Sequence, residues 1–304
     1  MISSIDRITV AAIDLLSAKK TFDCFFNTSP SYEVIEENLG YKSLIYNFEN
    51  IQFELLSTLD TKSNNELENF FNKNNIGGLY GFSLRAENKE FLDKALISPP
   101  INVKESIGNE SLNFISGNLN QSENFKLSLN YYDAPLSRSK NISDLFALDH
   151  LVVTTNDGDK IVNLYKEKLG VRLALDQLVE EWGGRMLFFR TGHSTIEVID
   201  NKAPGEDVFW GLAWKTKDIE STCERLSQNN INVSEVRKGR KKDTLVATVK
   251  FDEIKIPTLL VEHLNRAEIL VRIEGVEPPH LSALVPKTSV STNSTISAIE
   301  GKIN

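Results

Sequence analysis

One spacing organises this chain. Residues 5–10 read IDRITV and residues 148–153 read LDHLVV, 143 positions further on. The same offset, without a gap, lays LIYNFENIQFELLS (44–57) on LFFRTGHSTIEVID (187–200), so Glu54 falls on Glu197. It also aligns the segment ending in Phe25-Phe26 with the one ending in Lys168-Leu169. A second offset, 130, places GFSL (81–84) on GLAW (211–214), INV (101–103) on INV (231–233), and Glu105 on Glu235. Self-similarity at fixed spacing constrains architecture more than composition does, and it divides the chain into units A, B, A′ and B′ over about 1–60, 75–133, 145–200 and 206–264.

Each unit shares a local grammar, clearest in A′. LDHLVVTT is apolar and rich in β-branched residues, which predicts a strand. In DGDKIVNLYKEKLG, Ile161, Leu164, Tyr165 and Leu169 recur at helical spacing, and Gly170 stands where a helix would stop. VRLALD, RMLFFRT and STIEVID follow as three short strands. In B′, FWGLAWKT predicts the strand and Asp218 through Asn229 the helix, with strands at INVSEVR, TLVATVKF and IPTLLVEH. Units A and B match less cleanly, and B contains a polar stretch at Asn118–Asn124. One such unit is too small to bury a helix and a sheet by itself. The expected fold is therefore α+β: tandem βαβββ units forming curved mixed sheets with helices outside, four units in two similar halves. The expected domains are 1–144, 145–270 and a flexible, polar extension over 271–304.

Composition narrows the function classes. The 304 residues carry 34 Lys and Arg against 42 Asp and Glu, a net charge of −8, which opposes non-specific binding to nucleic acid or anionic membrane. Two cysteines, Cys24 and Cys223, exclude a disulfide scaffold or a Cys-rich zinc module. No apolar run reaches the roughly 20 residues that span a bilayer, and the first residues lack a basic start followed by an apolar stretch, so the default location is the cytoplasm. The expected partner is a small-molecule substrate or ligand, with no nucleic acid and no membrane; a homodimer is compatible with the sequence.

Four βαβββ units, with a D-H-L-V-V strand opening A′ and an I-E-V-I strand closing it, resemble the vicinal oxygen chelate superfamily: glyoxalase I, extradiol dioxygenases, and the bleomycin- and fosfomycin-resistance proteins. The resemblance covers about residues 1–264. It implies a site between paired units, in which a divalent metal (Fe, Mn, Zn or Ni) held by His and Glu stabilises an oxygenated anion. Carried over by position, it implies His150, Glu197 and Glu262 as metal ligands and Glu197 and Glu262 as catalytic carboxylates. The fourth position falls on Gly211, where extradiol dioxygenases would need His. In the first half Arg7 stands in place of His, Gly81 and Asn130 match the other positions, and Glu54 alone survives. That half is then a structural or cavity-forming copy. The resemblance implies a metal-dependent lyase, isomerase or dioxygenase; the alternative is a metal-free small-molecule binding or sequestration protein of the bleomycin-resistance type.

Other residues carry competing readings. Strand neighbours face opposite sides, so of Glu262 and His263 only one enters the cavity, and the pattern favours Glu262. An inward Glu needs an ion, a raised pKa or an Arg such as Arg185. His193 lies in a turn expected to be solvated, and His280 lies near the tail. The run Arg237-Lys238-Gly239-Arg240-Lys241-Lys242 reads as a hairpin turn or as a gate that attracts a carboxylate or phosphate. Trp210 and Trp214 read as core, while Trp182 beside Gly183-Gly184 is placed to cover a cavity mouth.

Overall fold

The computed structural model describes residues 1–59, 64–107, 110–119, 124–133, 143–202 and 204–264. The extension expected from 271 onward, with His280, lies outside these residues. The first half runs β1 (Ile2–Ala11), α1 (Leu15–Phe26), β2 (Tyr32–Glu36), β3 (Tyr41–Asn47), β4 (Gln52–Thr58), α2 (Asn65–Lys73), β5 (Gly78–Ala86), α3 (Lys89–Ala95), β6 (Ile101–Ile107), β7 (Glu110–Asn118) and β8 (Lys126–Tyr131). The second runs β9 (Leu145–Thr155), α4 (Gly158–Val162), β10 (Arg172–Val179), β11 (Gly184–Thr191), β12 (Ser194–Asp200), β13 (Val208–Thr216), α5 (Ile219–Gln228), β14 (Asn232–Val233), β15 (Arg237–Lys238), β16 (Thr244–Lys250) and β17 (Thr258–His263). Apart from α2 and β15, each unit is βαβββ.

The two sheets repeat one strand order. In the first it is β2-β3-β4-β1-β5-β8-β7-β6, and in the second β10-β11-β12-β9-β13-β17-β16-β14. Within a unit the first and last strands are parallel neighbours, and paired units join antiparallel through their first strands. Registers agree residue by residue. Arg7 pairs with Gln52 and Ser83, whereas His150 pairs with Thr195 and Ala213, so Arg7 and His150 occupy equivalent places. Ser83 pairs with Ser128 and Ala213 with Leu259, which puts Tyr131 opposite Glu262 and Tyr132 opposite His263 in the repeat.

Helix ends follow the side chains that satisfy them. Asp14 accepts from Leu16 N and Ser17 N at the start of α1, and Asn27 ends it at φ 51°. The A′ helix departs from the expected regular one. After α4 the chain widens into a π turn over Asn163–Lys168, with Leu169 N bonding Leu164 O five residues back. The wider turn keeps Ile161, Tyr165 and Leu169, spaced four apart, on one buried face. The strand expected over INVSEVR is shorter than its pattern: only Asn232–Val233 pair with β16, and Arg237–Lys238 pair separately. The basic run does bridge to β16 as a hairpin.

The halves share a core within one compact unit, Met1–His263. Phe26 of α1 packs its ring 4.9 Å from both Phe53 and Trp214, and Phe22 lies 5.2 Å from Phe251. Arg225 of α5 donates to the carbonyls of Cys24 and Phe25 at the end of α1 and grips Asp144 through two nitrogens. Asn50, in the turn between β3 and β4, donates to Leu148 O (2.8 Å) and accepts from Leu148 N (3.0 Å). A residue of the first half thereby fixes the strand that carries His150.

Candidate functional site

The site is built on an irregularity in β9. Pairing with β13 steps from Ala213 opposite His150 to Trp214 opposite Leu148, so Asp149 is an extra, bulged residue. A bulge breaks the alternation that would send neighbours to opposite faces. Asp149 and His150 therefore meet, with Oδ2 2.8 Å from Nδ1. Asp149 Oδ1 lies 2.6 Å from Nε2 of His263, at the end of β17, and 3.7 Å from Lys215 Nζ. A carboxylate only accepts, so in the neutral rings Nδ1 of His150 and Nε2 of His263 carry the protons. That choice leaves His150 Nε2 as a lone pair aimed at Glu197 Oε2, 3.7 Å away.

Electrostatics follow from the burial of this group. Burial alone would push Asp149 upward, but hydrogen bonds from His150 and His263 outweigh it and hold its carboxyl well below the usual carboxylate range. Glu197 shifts the other way, because burial raises it more than His150 and Arg240 lower it. Arg240, from the basic run, also stacks its guanidinium 5.6 Å from the centre of the Trp182 ring. The expected gate and the expected aromatic cover thus touch one another, and Arg240 acts on Glu197.

The expected ligand set does not assemble as a set. His150 and Glu197 come together, but Glu262 belongs to the helix side of the sheet. It is 2% exposed, and its Oε2 accepts from Ile219 N at 2.8 Å, at the first turn of α5. There it shares the helix terminus with Asp218, whose side chain accepts from Ser221 N, and the helix dipole favours both negative charges. The expectation that Glu262 rather than His263 faces the site is reversed. Among the described residues no three His, Cys, Asp or Glu side chains come together in a way that would hold a metal ion. Gly211 has a packing role: a Cβ there would lie 2.9 Å from Pro257 O, in the segment that leads into the neighbouring β17. Gly81 approaches Lys126 O in the same way in the first half, so both glycines follow from close strand contact.

Other expectations resolve individually. Arg185 pairs with Asp176 and Asp159 and not with a site glutamate. Trp214 is core at 1% exposed, whereas Trp210, expected as core, is an exposed bulge residue. His193 is exposed in its turn, and its carbonyl accepts from Lys215. The sequence alone singles out neither Asp149 nor an engaged His263. The repeat aligns Asp6-Arg7 with Asp149-His150, and the structure uses the two aspartates alike: Tyr132 OH donates to Asp6 as His263 does to Asp149.

Comparison with known proteins agrees with this architecture. Residues 149–248 match the model of the Glyoxalase/Bleomycin resistance protein/Dioxygenase superfamily. No curated protein sequence matches the chain. The chain is similar in fold to a mutant of 4-hydroxymandelate synthase from Streptomyces coelicolor, with 12% identity, a TM-score of 0.62, and coverage of 86% of this chain and 93% of that one. It is also similar to a Mn(II)-bound glyoxalase from Novosphingobium aromaticivorans, with 11% identity, a TM-score of 0.59, and coverage of 87% and 83%. A xylose isomerase-like TIM barrel/4-hydroxyphenylpyruvate dioxygenase fusion protein matches at 12% identity and a TM-score of 0.59, over 90% of this chain and 52% of that one. Residues 149–248, which begin within the D-H-L-V-V strand, thus match the model of that superfamily, and the chain as a whole shares the fold of the solved structures named here.

Proposed function

We propose that the second half is an enzyme site that binds a small oxygenated metabolite at His150 and Glu197 and moves a proton on it, as an isomerase or lyase would. The observation that carries this reading is the open approach of His150 Nε2 to Glu197 Oε2, backed by Asp149. Asp149 fixes the tautomer and orientation of the imidazole, so its free nitrogen points at the bound molecule. A raised carboxyl such as Glu197 exchanges protons nearer neutral pH than an ordinary glutamate does. Arg240 and Trp182 supply a cationic, planar cover that suits an oxyanion on a flat ligand. Glu262 takes no part in this chemistry, since its Oε2 accepts from Ile219 N at the start of α5.

One observation favours a second reading. Two ligands of one divalent ion, each about 2.0–2.2 Å from it, lie roughly 3–3.5 Å apart, and His150 and Glu197 are only slightly more separated. They would then hold the ion with solvent completing its shell, and the ion would supply Lewis-acid polarisation of a ligand oxygen. The test is exchange of the α-hydrogens of dihydroxyacetone and pyruvate in D₂O, followed by NMR, on protein whose metal content is measured first. Metal-free protein should accelerate exchange, and Glu197→Gln and His150→Ala should each reduce it at least about 100-fold. Exchange that requires added Mn²⁺ or Zn²⁺ would favour the second reading. Ligand binding without any exchange would leave a metal-free binding protein.

A further inference from the structure

The first half has no His at its equivalent position, yet its concave face encloses a cavity of about 520 Å³, within the size range of small-molecule sites. Sheet residues line it, together with Asn65, Glu66 and Leu67 at the start of α2. Arg7 is fully engaged on its floor. It holds Glu105 through two nitrogens at 2.6 and 2.9 Å and Gln52 Oε1 at 2.8 and 3.2 Å. Its positive charge is therefore spent on Glu105 and is not offered to a ligand.

Glu54 is different. It is 8% exposed and lines the cavity. Its Oε2 accepts from Thr9 Oγ1 at 2.8 Å, but among the described residues none donates a hydrogen bond to Oε1, and the cation paired with it, Arg7 Nη1, is 3.7 Å away. A buried carboxylate with an unfilled acceptor oxygen is costly unless something donates to it. Among the described lining residues three carboxylates, Glu54, Glu66 and Glu105, face two cations, Arg7 and Lys126. Lys126 is taken by Glu66 at 3.3 Å. The cavity is thus one positive charge short, and the deficit sits at Glu54. Tyr41 and Tyr80 line the same space, and burial pushes both phenols upward, so they stay neutral. Phe82 and Phe114 line it too, so four aromatic side chains contribute to the wall, and aromatic rings attract an organic cation.

We propose that this cavity is a second binding site, for a small primary amine whose ammonium group donates to Glu54 Oε1. An anion would meet Glu54 with no free cation to offset it. A divalent metal ion would find one open carboxylate oxygen beside the Arg7 guanidinium. A monovalent organic cation with N–H donors and an apolar body satisfies both the charge and the walls. This inference is independent of the chemistry proposed for His150 and Glu197.

The test uses the full chain, with 2-phenylethylamine and cyclohexylamine as probes and 3-phenylpropionate and Mn²⁺ as controls, followed by titration calorimetry. Both amines should bind, and neither control should compete. Glu54→Gln should weaken the amines at least about tenfold, because a charge-assisted hydrogen bond is lost. Ser128→Phe, which adds bulk to the lining three strands away from Glu54, should block them while the far-UV circular dichroism stays native. Glu197→Gln should leave amine binding unchanged, which separates this site from the one in the second half. The proposal is overturned if neither amine binds, if the carboxylate or Mn²⁺ binds more tightly, or if Glu197→Gln removes binding and Ser128→Phe does not.

Discussion

Asp149 is the side chain on which the candidate site turns. It takes one imidazole on each oxygen, so a single carboxylate sets the tautomers of both His150 and His263. Asn is close to isosteric, but it has one acceptor oxygen and donates from its nitrogen, so Asp149→Asn can satisfy at most one ring in its present tautomer. The variant should lose about 1–3 kcal/mol of stability, read as a lowered urea midpoint at unchanged slope. In nitrogen-detected NMR the His150 ring should lose its single Nδ1–H tautomer, because the carboxylate that accepts from Nδ1 is gone. An unchanged tautomer would refute the orienting role. The resemblance points to His150 and Glu197, which the structure brings within 3.7 Å of each other, but not to Asp149. The alternation rule assigns Asp149 to the opposite face, and only the bulge, which pattern alone does not reveal, returns it to the site.

At the scale of elements, the repeat offsets were the legible part. They located the four units, and the register of β1 with β4 and β5 recurs in β9 with β12 and β13 at the same spacings. The offset between the last strands was less legible. Aligning Asn130 with Glu262 differs by one residue from the observed pairing, and a one-residue slip in a strand exchanges its two faces. The family resemblance implies Glu262 as a ligand, whereas in the structure it is His263 that reaches Asp149. The structure assigns Glu262 to the start of α5, which gives a direct prediction. Glu262→Gln should cost about 0.5–2 kcal/mol through the weakened helix terminus. It should leave ligand binding and α-hydrogen exchange within about twofold of the parent. Loss of exchange in a normally stable Glu262→Gln protein would restore Glu262 to the site.

At the scale of the molecule, the first half is more than a degenerate copy. Its α1 aromatics bury against the second half, its Asn50 holds β9 beside the bulge, and Arg225 returns from α5 to the carbonyl end of α1. These contacts predict that the halves unfold together. Phe26 is 0% exposed and belongs to the first half, yet its ring touches Trp214 of the second. Phe26→Ala should therefore destabilise by about 3–5 kcal/mol, through lost burial and the cavity left behind. All three tryptophans, Trp182, Trp210 and Trp214, lie in the second half, so tryptophan fluorescence reports that half while far-UV circular dichroism reports both. In the parent protein the two signals should give coincident denaturant transitions, and in Phe26→Ala they should shift together to lower denaturant. A variant whose circular dichroism loses part of its amplitude first, while the fluorescence transition stays at the parental midpoint, would show halves that fold independently. His150 would then have to be held without Asn50, and the second half alone should retain the site.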